Sequence, residues 1–91
     1  MKNIIIFTLD GCSHCESLKQ RLKTLFISFD ELEINRNQDI WNQVVEQTGH
    51  NVIPMVYISN EGEDEGIIYV PGRDYQNEDE IVEIVQKISV I

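Results

Sequence analysis

Short runs of apolar residues alternate along this chain with segments of helical periodicity, and this alternation restricts the fold more than any other feature. Residues 3–9 (NIIIFTL) form an apolar run that ends at an Asp-Gly pair, which predicts a strand buried on both faces. Residues 29–34 (FDELEI) alternate as a half-buried strand does. Residues 52–58 and 67–70 have strand composition and are separated by a loop at 60–66, so they predict a hairpin.

Three segments repeat their apolar residues at the spacing of an amphipathic helix. They are residues 13–26, residues 39–48 and a last helix that begins after Asn77, where Glu80 completes a capping-box pattern. The predicted buried positions are Leu18, Leu22, Leu25 and Phe26; Ile40, Trp41, Val44 and Val45; and Ile81, Val82, Ile84, Val85 and Ile88. The order βαβαββα indicates one sheet with helices on its faces, in a single domain over residues 1–91.

The charge of the chain restricts its partners. Sixteen acidic residues stand against seven basic ones, a formal charge of −9, so binding to nucleic acid phosphates is not expected. The acidity is typical of a soluble protein, and steering toward partners with basic surfaces is the alternative. No stretch approaches the roughly 18 apolar residues of a membrane span, so no membrane partner is expected either.

The first twelve residues faintly resemble a lipoprotein signal. Their apolar run is shorter than the roughly 7–15 residues of a signal core, and Asp10 lies where a small residue is wanted. We therefore interpret the segment as a strand and expect a cytoplasmic protein. In that compartment a pair of nearby cysteines is more often catalytic or metal-binding than a structural disulfide.

The only two cysteines, Cys12 and Cys15, lie where the first strand gives way to the first helix. Free amide groups and the dipole at a helix start stabilise a thiolate on Cys12, which is the nucleophilic form. Cys15, one turn later, is close enough to attack a mixed disulfide on Cys12. A protonated His14 would add a second positive partner for that thiolate, or it simply faces solvent. Asp10 acts in the opposite direction, because a nearby carboxylate raises the pKa of a thiol.

A zinc site is the alternative interpretation of these residues. Zinc needs four ligands, and the available soft donors are Cys12, His14, Cys15 and the distant His50. The C-x-x-C pattern occurs once, so we expect redox chemistry and no bound metal.

The order of elements, the C-x-x-C pattern and the "VIP" at 52–54 resemble the thioredoxin superfamily, and "VPGRD" at 70–74 resembles its glutaredoxin branch. The resemblance implies a thioredoxin-like α/β fold, with a four-stranded mixed sheet flanked by three helices. It also implies a cis peptide bond between Ile53 and Pro54, which would expose the Ile53 backbone beside Cys12 for pairing with an extended substrate. An ordinary trans proline at a strand start is the alternative.

The glutaredoxin resemblance further implies glutathione as co-substrate, held by Gly72, Arg73 and Asp74, with no tightly bound cofactor. It implies that the substrates are proteins that contain disulfides and that the protein acts as a monomer. The chain departs from the usual pattern at four positions, namely Leu9, Ser13, His14 and Val52. Ser13 and His14 replace the usual Pro and Tyr, and a histidine there is similar to periplasmic disulfide oxidases of the superfamily. Leu9 and Val52 replace a lysine and a polar residue that attract the carboxylates of glutathione.

These observations predict a dithiol oxidoreductase of the glutaredoxin type, in which Cys12 attacks and Cys15 or glutathione resolves. Two alternatives stay open. One is a thioredoxin-like disulfide reductase that does not depend on glutathione. The other is a binding protein in which Cys12 thiolates from two chains, with glutathione, hold a [2Fe–2S] cluster, which Ser13 beside the first cysteine permits.

Overall fold

The computed structural model of the chain describes residues 2–60 and 65–89. The strands are Lys2–Thr8 (β1), Asp30–Glu33 (β2), Met55–Asn60 (β3) and Gly66–Tyr69 (β4), and the helices are Ser13–Thr24 (α1), Gln38–Thr48 (α2) and Glu78–Ser89 (α3). The predicted order βαβαββα is confirmed. A short 3-10 turn at Ile34–Arg36 leads from β2 into α2 and was not predicted.

The four strands form one mixed sheet in the order β2-β1-β3-β4. β1 and β2 are parallel, whereas β3 pairs antiparallel with both β1 and β4. The predicted hairpin is therefore confirmed, and most of its predicted loop, residues 61–64, lies outside the described residues. No helix in the described ranges is long and apolar enough to cross a membrane.

The core has two halves, one on each face of the sheet. Ile4 and Ile6 of β1 pack with α1 and α3, whereas Phe7 packs with Trp41 of α2. On the first face the other fully or nearly buried residues are Leu18, Leu22, Val56, Ile58, Tyr75, Ile81, Val82 and Val85, and on the second they are Val44, Met55 and Val70. The central strand is thus covered on both sides, as its continuous apolar run predicts.

Three residues of the predicted buried stripes are exposed instead. α1 ends at Thr24, and Phe26 takes a left-handed conformation (φ 59°) with 95% of its surface exposed, while Leu25 is 39% exposed. The chain turns so sharply there that Ile27 and Phe29 pack against the core in their place. Ile40 lies at the margin of the α2 stripe and is 44% exposed, because Trp41 and Val44 face the sheet.

The start of α3 confirms half of the predicted capping box. The side-chain oxygen of Asn77 accepts a hydrogen bond from the Glu80 amide at 3.0 Å. The Glu80 carboxylate reaches back to the Gln76 amide at 2.6 Å, one residue before the expected partner. The bond to Asn77 satisfies an amide that the first helical turn cannot pair by itself, and the bond to Glu80 fixes the residue before the cap. This turn lies beside the groove described below.

Candidate active site

A tight turn carries the chain from the end of β1 into the cysteine motif. Gly11 has a positive φ of 83°, a conformation that glycine adopts without steric cost. The Cys12 amide donates to the Leu9 carbonyl at 3.1 Å, and the Glu16 amide donates to the Cys12 carbonyl at 3.1 Å. Cys12 is therefore the N-cap residue of α1, with extended backbone angles.

The sulfur of Cys12 takes the place of a capping oxygen. It accepts a hydrogen bond from the Cys15 amide at 3.2 Å, and the two cysteines are joined by a disulfide with a Cα–Cα distance of 5.3 Å. Cys12 is partly exposed, whereas Cys15 is fully buried at 0% exposure. One sulfur can be reached from solvent and the other cannot, so the two positions are chemically unequal.

The turn before Cys12 is held by the last residue of β2 and by a residue just after that strand. The buried carboxylate of Glu33 accepts hydrogen bonds from the Asp10 amide at 3.3 Å and from the Arg36 amide at 3.1 Å. The guanidinium of Arg36 lies 3.3 Å from the Asp10 carboxylate. Arg36 therefore balances part of the negative charge that Asp10 brings near Cys12. The balance is only partial, because both groups are exposed to solvent and attract each other weakly.

The peptide bond between Ile53 and Pro54 is cis, as predicted. Pro54 is buried, and its carbonyl accepts a hydrogen bond from the hydroxyl of the buried Tyr75. Burial raises the pKa of Tyr75 because the charged phenolate is poorly solvated there, so the hydroxyl remains a donor at any working pH.

A groove of about 580 Å³ runs between the start of α1, the cis peptide and the segment that leads into α3. Its polar and charged lining comes from Ser13, His14, Ser17, Gln76, Asn77 and Glu78, and its apolar lining includes Ile53, Pro54 and Pro71. Three predicted site residues, His14, Ile53 and Pro54, are thus brought together in one groove. Ser13 and His14 lie between the two cysteines in the chain, so the groove adjoins the disulfide.

The predicted glutathione-binding residues Gly72, Arg73 and Asp74 form a turn next to this groove and do not line it. Asp74 accepts hydrogen bonds from the Val70 amide at 2.7 Å and from Arg73 at 3.0 Å, and Arg73 also donates to the Ile68 carbonyl. Burial acts to raise the pKa of Asp74, but the bonds from Arg73 and Val70 together outweigh it and hold that pKa below its usual value.

The charge at the α3 end of the groove is negative. The Glu78 carboxylate accepts hydrogen bonds from the Ser17 hydroxyl and, at 3.0 Å, from Arg21, and these bonds lower the pKa of Glu78. The same Arg21 also contacts Asp79 at 2.6 Å. In the part of the chain that the structure describes, the groove lining includes no lysine or arginine.

The described residues contain no group of three His, Cys, Asp or Glu side chains that could hold a metal ion. The pair Cys12 and Cys15 is joined in a disulfide instead. The chemistry that this arrangement supports directly is exchange between thiols and disulfides.

The chain matches the glutaredoxin family model over residues 4–62. This chain belongs to the glutaredoxin family. Glutaredoxin 3 of Escherichia coli K12 is 29% identical over 58 residues, which cover 64% of this chain and 70% of the relative. A glutaredoxin of Vernicia fordii is 30% identical over 59 residues, which cover 62% of this chain and 57% of the relative.

Solved structures agree with this glutaredoxin's fold. A wheat glutaredoxin has a TM-score of 0.56 at 24% identity, over 69% of this chain and 60% of the wheat chain. A buckwheat glutaredoxin solved as a complex with glutathione has a TM-score of 0.59 at 16% identity, over 94% and 70% of the two chains. Oxidised mitochondrial thioredoxin 3 of Saccharomyces cerevisiae has a TM-score of 0.65 at 14% identity, over 94% of this chain and 77% of the thioredoxin chain. The thioredoxin-like fold is therefore confirmed, and the C-x-x-C pair of this glutaredoxin is the dithiol of a thiol-disulfide oxidoreductase.

Sequence analysis missed four residues of this glutaredoxin's site: Glu33, Arg36, Tyr75 and Glu78. Glu33 lies 23 residues from the Asp10 amide that it holds, and Tyr75 lies 21 residues from Pro54. No local pattern signals such contacts. The nearest sequence signal was the alternation in β2, which assigns Leu32 to a buried face but cannot assign the Glu33 carboxylate a partner.

Proposed function

We propose that this glutaredoxin reduces disulfides in proteins, or mixed disulfides between proteins and glutathione, with Cys12 as the attacking thiol and Cys15 as the resolving thiol. The proposal rests on one observation above all. Cys12 is partly exposed, and its sulfur caps a helix and accepts a hydrogen bond from the Cys15 amide at 3.2 Å, whereas Cys15 is fully buried. A helix start stabilises negative charge on the sulfur that a substrate can reach.

The reaction balances as two exchanges. The Cys12 thiolate attacks one sulfur of the substrate disulfide, a bond forms between Cys12 and that sulfur, and the other substrate sulfur leaves as a thiolate that takes up a proton. The Cys15 thiolate then attacks the Cys12 sulfur and releases the second substrate thiol. The substrate gains two electrons, and the protein is left as the Cys12–Cys15 disulfide, which is the form that the structure holds.

Glutathione is the proposed reductant of that disulfide. One glutathione thiolate forms a mixed disulfide with Cys12, and a second displaces it as glutathione disulfide, which restores both thiols. The buckwheat relative solved with glutathione supports this assignment. We assign the backbone of Ile53 and the neighbouring Pro54 to pairing with the substrate. The Gly72–Asp74 turn is assigned to the γ-glutamyl end of glutathione, and His14 to support of the Cys12 thiolate. The protein is proposed to act as a monomer in the cytoplasm.

Two variants and two reductant systems test the proposal. Cys12→Ser is expected to abolish turnover of every disulfide, because the remaining thiol, that of Cys15, is buried and cannot be reached by a substrate. Cys15→Ser is expected to keep activity on glutathione mixed disulfides, where glutathione itself resolves the intermediate, and to lose activity on protein disulfides. Reduction is measured once with glutathione and its reductase and once with thioredoxin reductase. Full activity of Cys12→Ser would refute the mechanism, and recycling by thioredoxin reductase alone would refute glutathione as reductant.

A further inference from the structure

Glu78 is the only carboxylate in the described lining of the groove beside Cys12 and the cis peptide. Its side chain is 26% exposed and is fixed by hydrogen bonds from Ser17 and Arg21, both on α1. The carboxylate therefore occupies a defined place at the α3 end of the groove. It belongs neither to the dithiol nor to the Gly72–Asp74 turn.

The charges around Glu78 do not cancel. Glu78, Asp79 and Glu80 are consecutive in the first turn of α3, and a single guanidinium, that of Arg21, is shared between the first two. Three negative charges thus face one positive charge. The positive end of the α3 dipole, equivalent to roughly half an elementary charge, offsets only part of the difference.

The chain's own side chains already occupy two amides in and just before the first turn of α3. The Asn77 side chain accepts a hydrogen bond from the Glu80 amide, and the Glu80 carboxylate accepts one from the Gln76 amide. Two amides that could bind a ligand carboxylate therefore already have partners. Within the described lining, His14, from the start of α1, is the one residue whose side chain can carry a positive charge. A substrate group that reaches this end of the groove therefore lies beside the Glu78 carboxylate.

We propose that Glu78 determines specificity by making the groove select disulfides whose flanking peptide carries lysine or arginine, and disfavour those flanked by acidic residues. This inference rests on the proposed function, because it concerns the substrate of the same dithiol. A peptide that pairs with the Ile53 backbone runs along the groove, and a long basic side chain can lay its apolar stem on Ile53 and Pro71 while its charge reaches Glu78.

Three peptide disulfides that differ at one flanking residue, Lys, Gln or Glu, test the proposal. The pre-reduced wild-type protein is mixed with each peptide in excess, and the released peptide thiol is measured to give a second-order rate constant without any added reductant. We expect the rate to fall in the order Lys, Gln, Glu, with a Lys-to-Glu ratio of about tenfold at low ionic strength. Because the effect is electrostatic, the ratio is expected to shrink to about twofold in high salt.

Two matched variants locate the effect. Glu78→Gln and Asp79→Asn each remove one negative charge and one ion pair with Arg21, but only Glu78 lines the groove. Glu78→Gln is expected to lower the Lys-peptide rate, raise the Glu-peptide rate and reduce their ratio at least about threefold, while Asp79→Asn changes the ratio by less than about 1.5-fold.

A wild-type ratio close to one, a ratio that does not respond to salt, or an equal change in both variants would overturn the proposal. The salt series uses only the wild-type protein, so a ratio close to one, or one that does not respond to salt, overturns the proposal even where Glu78→Gln does not fold. Failure of the proposed function has a different signature, since no peptide, including the Gln peptide, would then release thiol. Turnover of all three peptides at one rate would leave the dithiol mechanism intact and remove only the role of Glu78.

Discussion

The hydroxyl of Tyr75 donates a hydrogen bond to the carbonyl of Pro54, and this buried contact joins the segment before α3 to the start of β3. Both residues line the groove beside the cysteine pair. The contact therefore fixes the distance between two walls of the candidate active site. Because burial raises the pKa of Tyr75, the donor is present throughout the physiological pH range.

Tyr75→Phe is expected to loosen the groove without changing the thiols. The buried Pro54 carbonyl loses its donor, which costs about 1–3 kcal/mol in the free energy of unfolding. We expect slower reaction with peptide disulfides and an unchanged rate of Cys12 alkylation by iodoacetamide. Tyr69→Phe, at the end of β4, is the matched control. An equal effect of both variants on the peptide rate would contradict the role of the Tyr75 contact.

Glu33→Ala is expected to release the turn that precedes Cys12. The variant leaves the Asp10 and Arg36 amides without their carboxylate acceptor, so we expect a loss of about 1–3 kcal/mol in the free energy of unfolding and altered Cys12 alkylation kinetics. Glu33→Gln keeps one acceptor oxygen and should lose less. Glu46→Ala, on the exposed face of α2, controls for the lost charge. Alkylation kinetics identical to those of the wild type would show that Glu33 does not position the turn.

Phe26→Gly is expected to stabilise the fold. The Phe26 amide bonds to the Lys23 carbonyl and the Ile27 amide to the Leu22 carbonyl, both at 3.0 Å, which is the Schellman pattern that usually places glycine at this position. The side chain is 95% exposed, so its removal sacrifices little buried area. We expect the free energy of unfolding, measured in urea, to be about 1 kcal/mol higher for Phe26→Gly than for Phe26→Ala, because alanine keeps the strained Cβ. Equal stability of the two variants would show that the left-handed turn costs nothing.

The acid side of the stability profile is expected to depend on Glu31. Hydrogen bonds from Lys19, at 2.8 Å, and from Thr8, at 2.6 Å, lower the pKa of Glu31 in the folded chain. A glutamate carboxyl in the unfolded chain has a pKa of about 4.3. The contribution of Glu31 to the free energy of unfolding is therefore complete above about pH 5, and it is lost as the pH falls through the lower pKa of the folded chain.

Urea unfolding at several pH values checks this dependence. Glu31→Gln is expected to flatten the fall in the free energy of unfolding between about pH 5 and pH 2, because a residue that does not titrate cannot contribute to it. Glu46→Gln removes an exposed carboxylate of α2 and should leave the profile as in the wild type. A wild-type slope in Glu31→Gln would mean that the bonds to Lys19 and Thr8 do not persist in solution.

The parts of the fold that sequence predicted are those that local patterns encode. The continuous apolar run of β1 gives a strand covered on both faces, and the Asn77 cap marks the start of α3. The position of Cys12 at a helix start follows from the Asp-Gly turn before it. The cis bond at Pro54 came from the family resemblance, because the local sequence gives a low prior for it.

The parts that sequence could not predict depend on contacts between distant segments. Helical spacing continued through Phe26, but a left-handed turn with phenylalanine where glycine is usual ended the helix early. Tyr75 and Glu33 look like ordinary residues of a turn and a strand until the fold brings Pro54 and Asp10 to them. Assignment of glutathione contacts to Gly72, Arg73 and Asp74 stays a prediction, since these three residues do not line the groove.

The pKa of the Cys12 thiol tests the account most directly. In Cys15→Ser the Cys12 sulfur is the only thiol, and its ionisation can be followed by thiolate absorbance and by the pH dependence of alkylation. Because the sulfur caps α1 and accepts the residue 15 amide, we predict a pKa below about 7, against about 8.5 for free cysteine. A value of about 8.5 or higher would contradict the claim that the helix start activates Cys12.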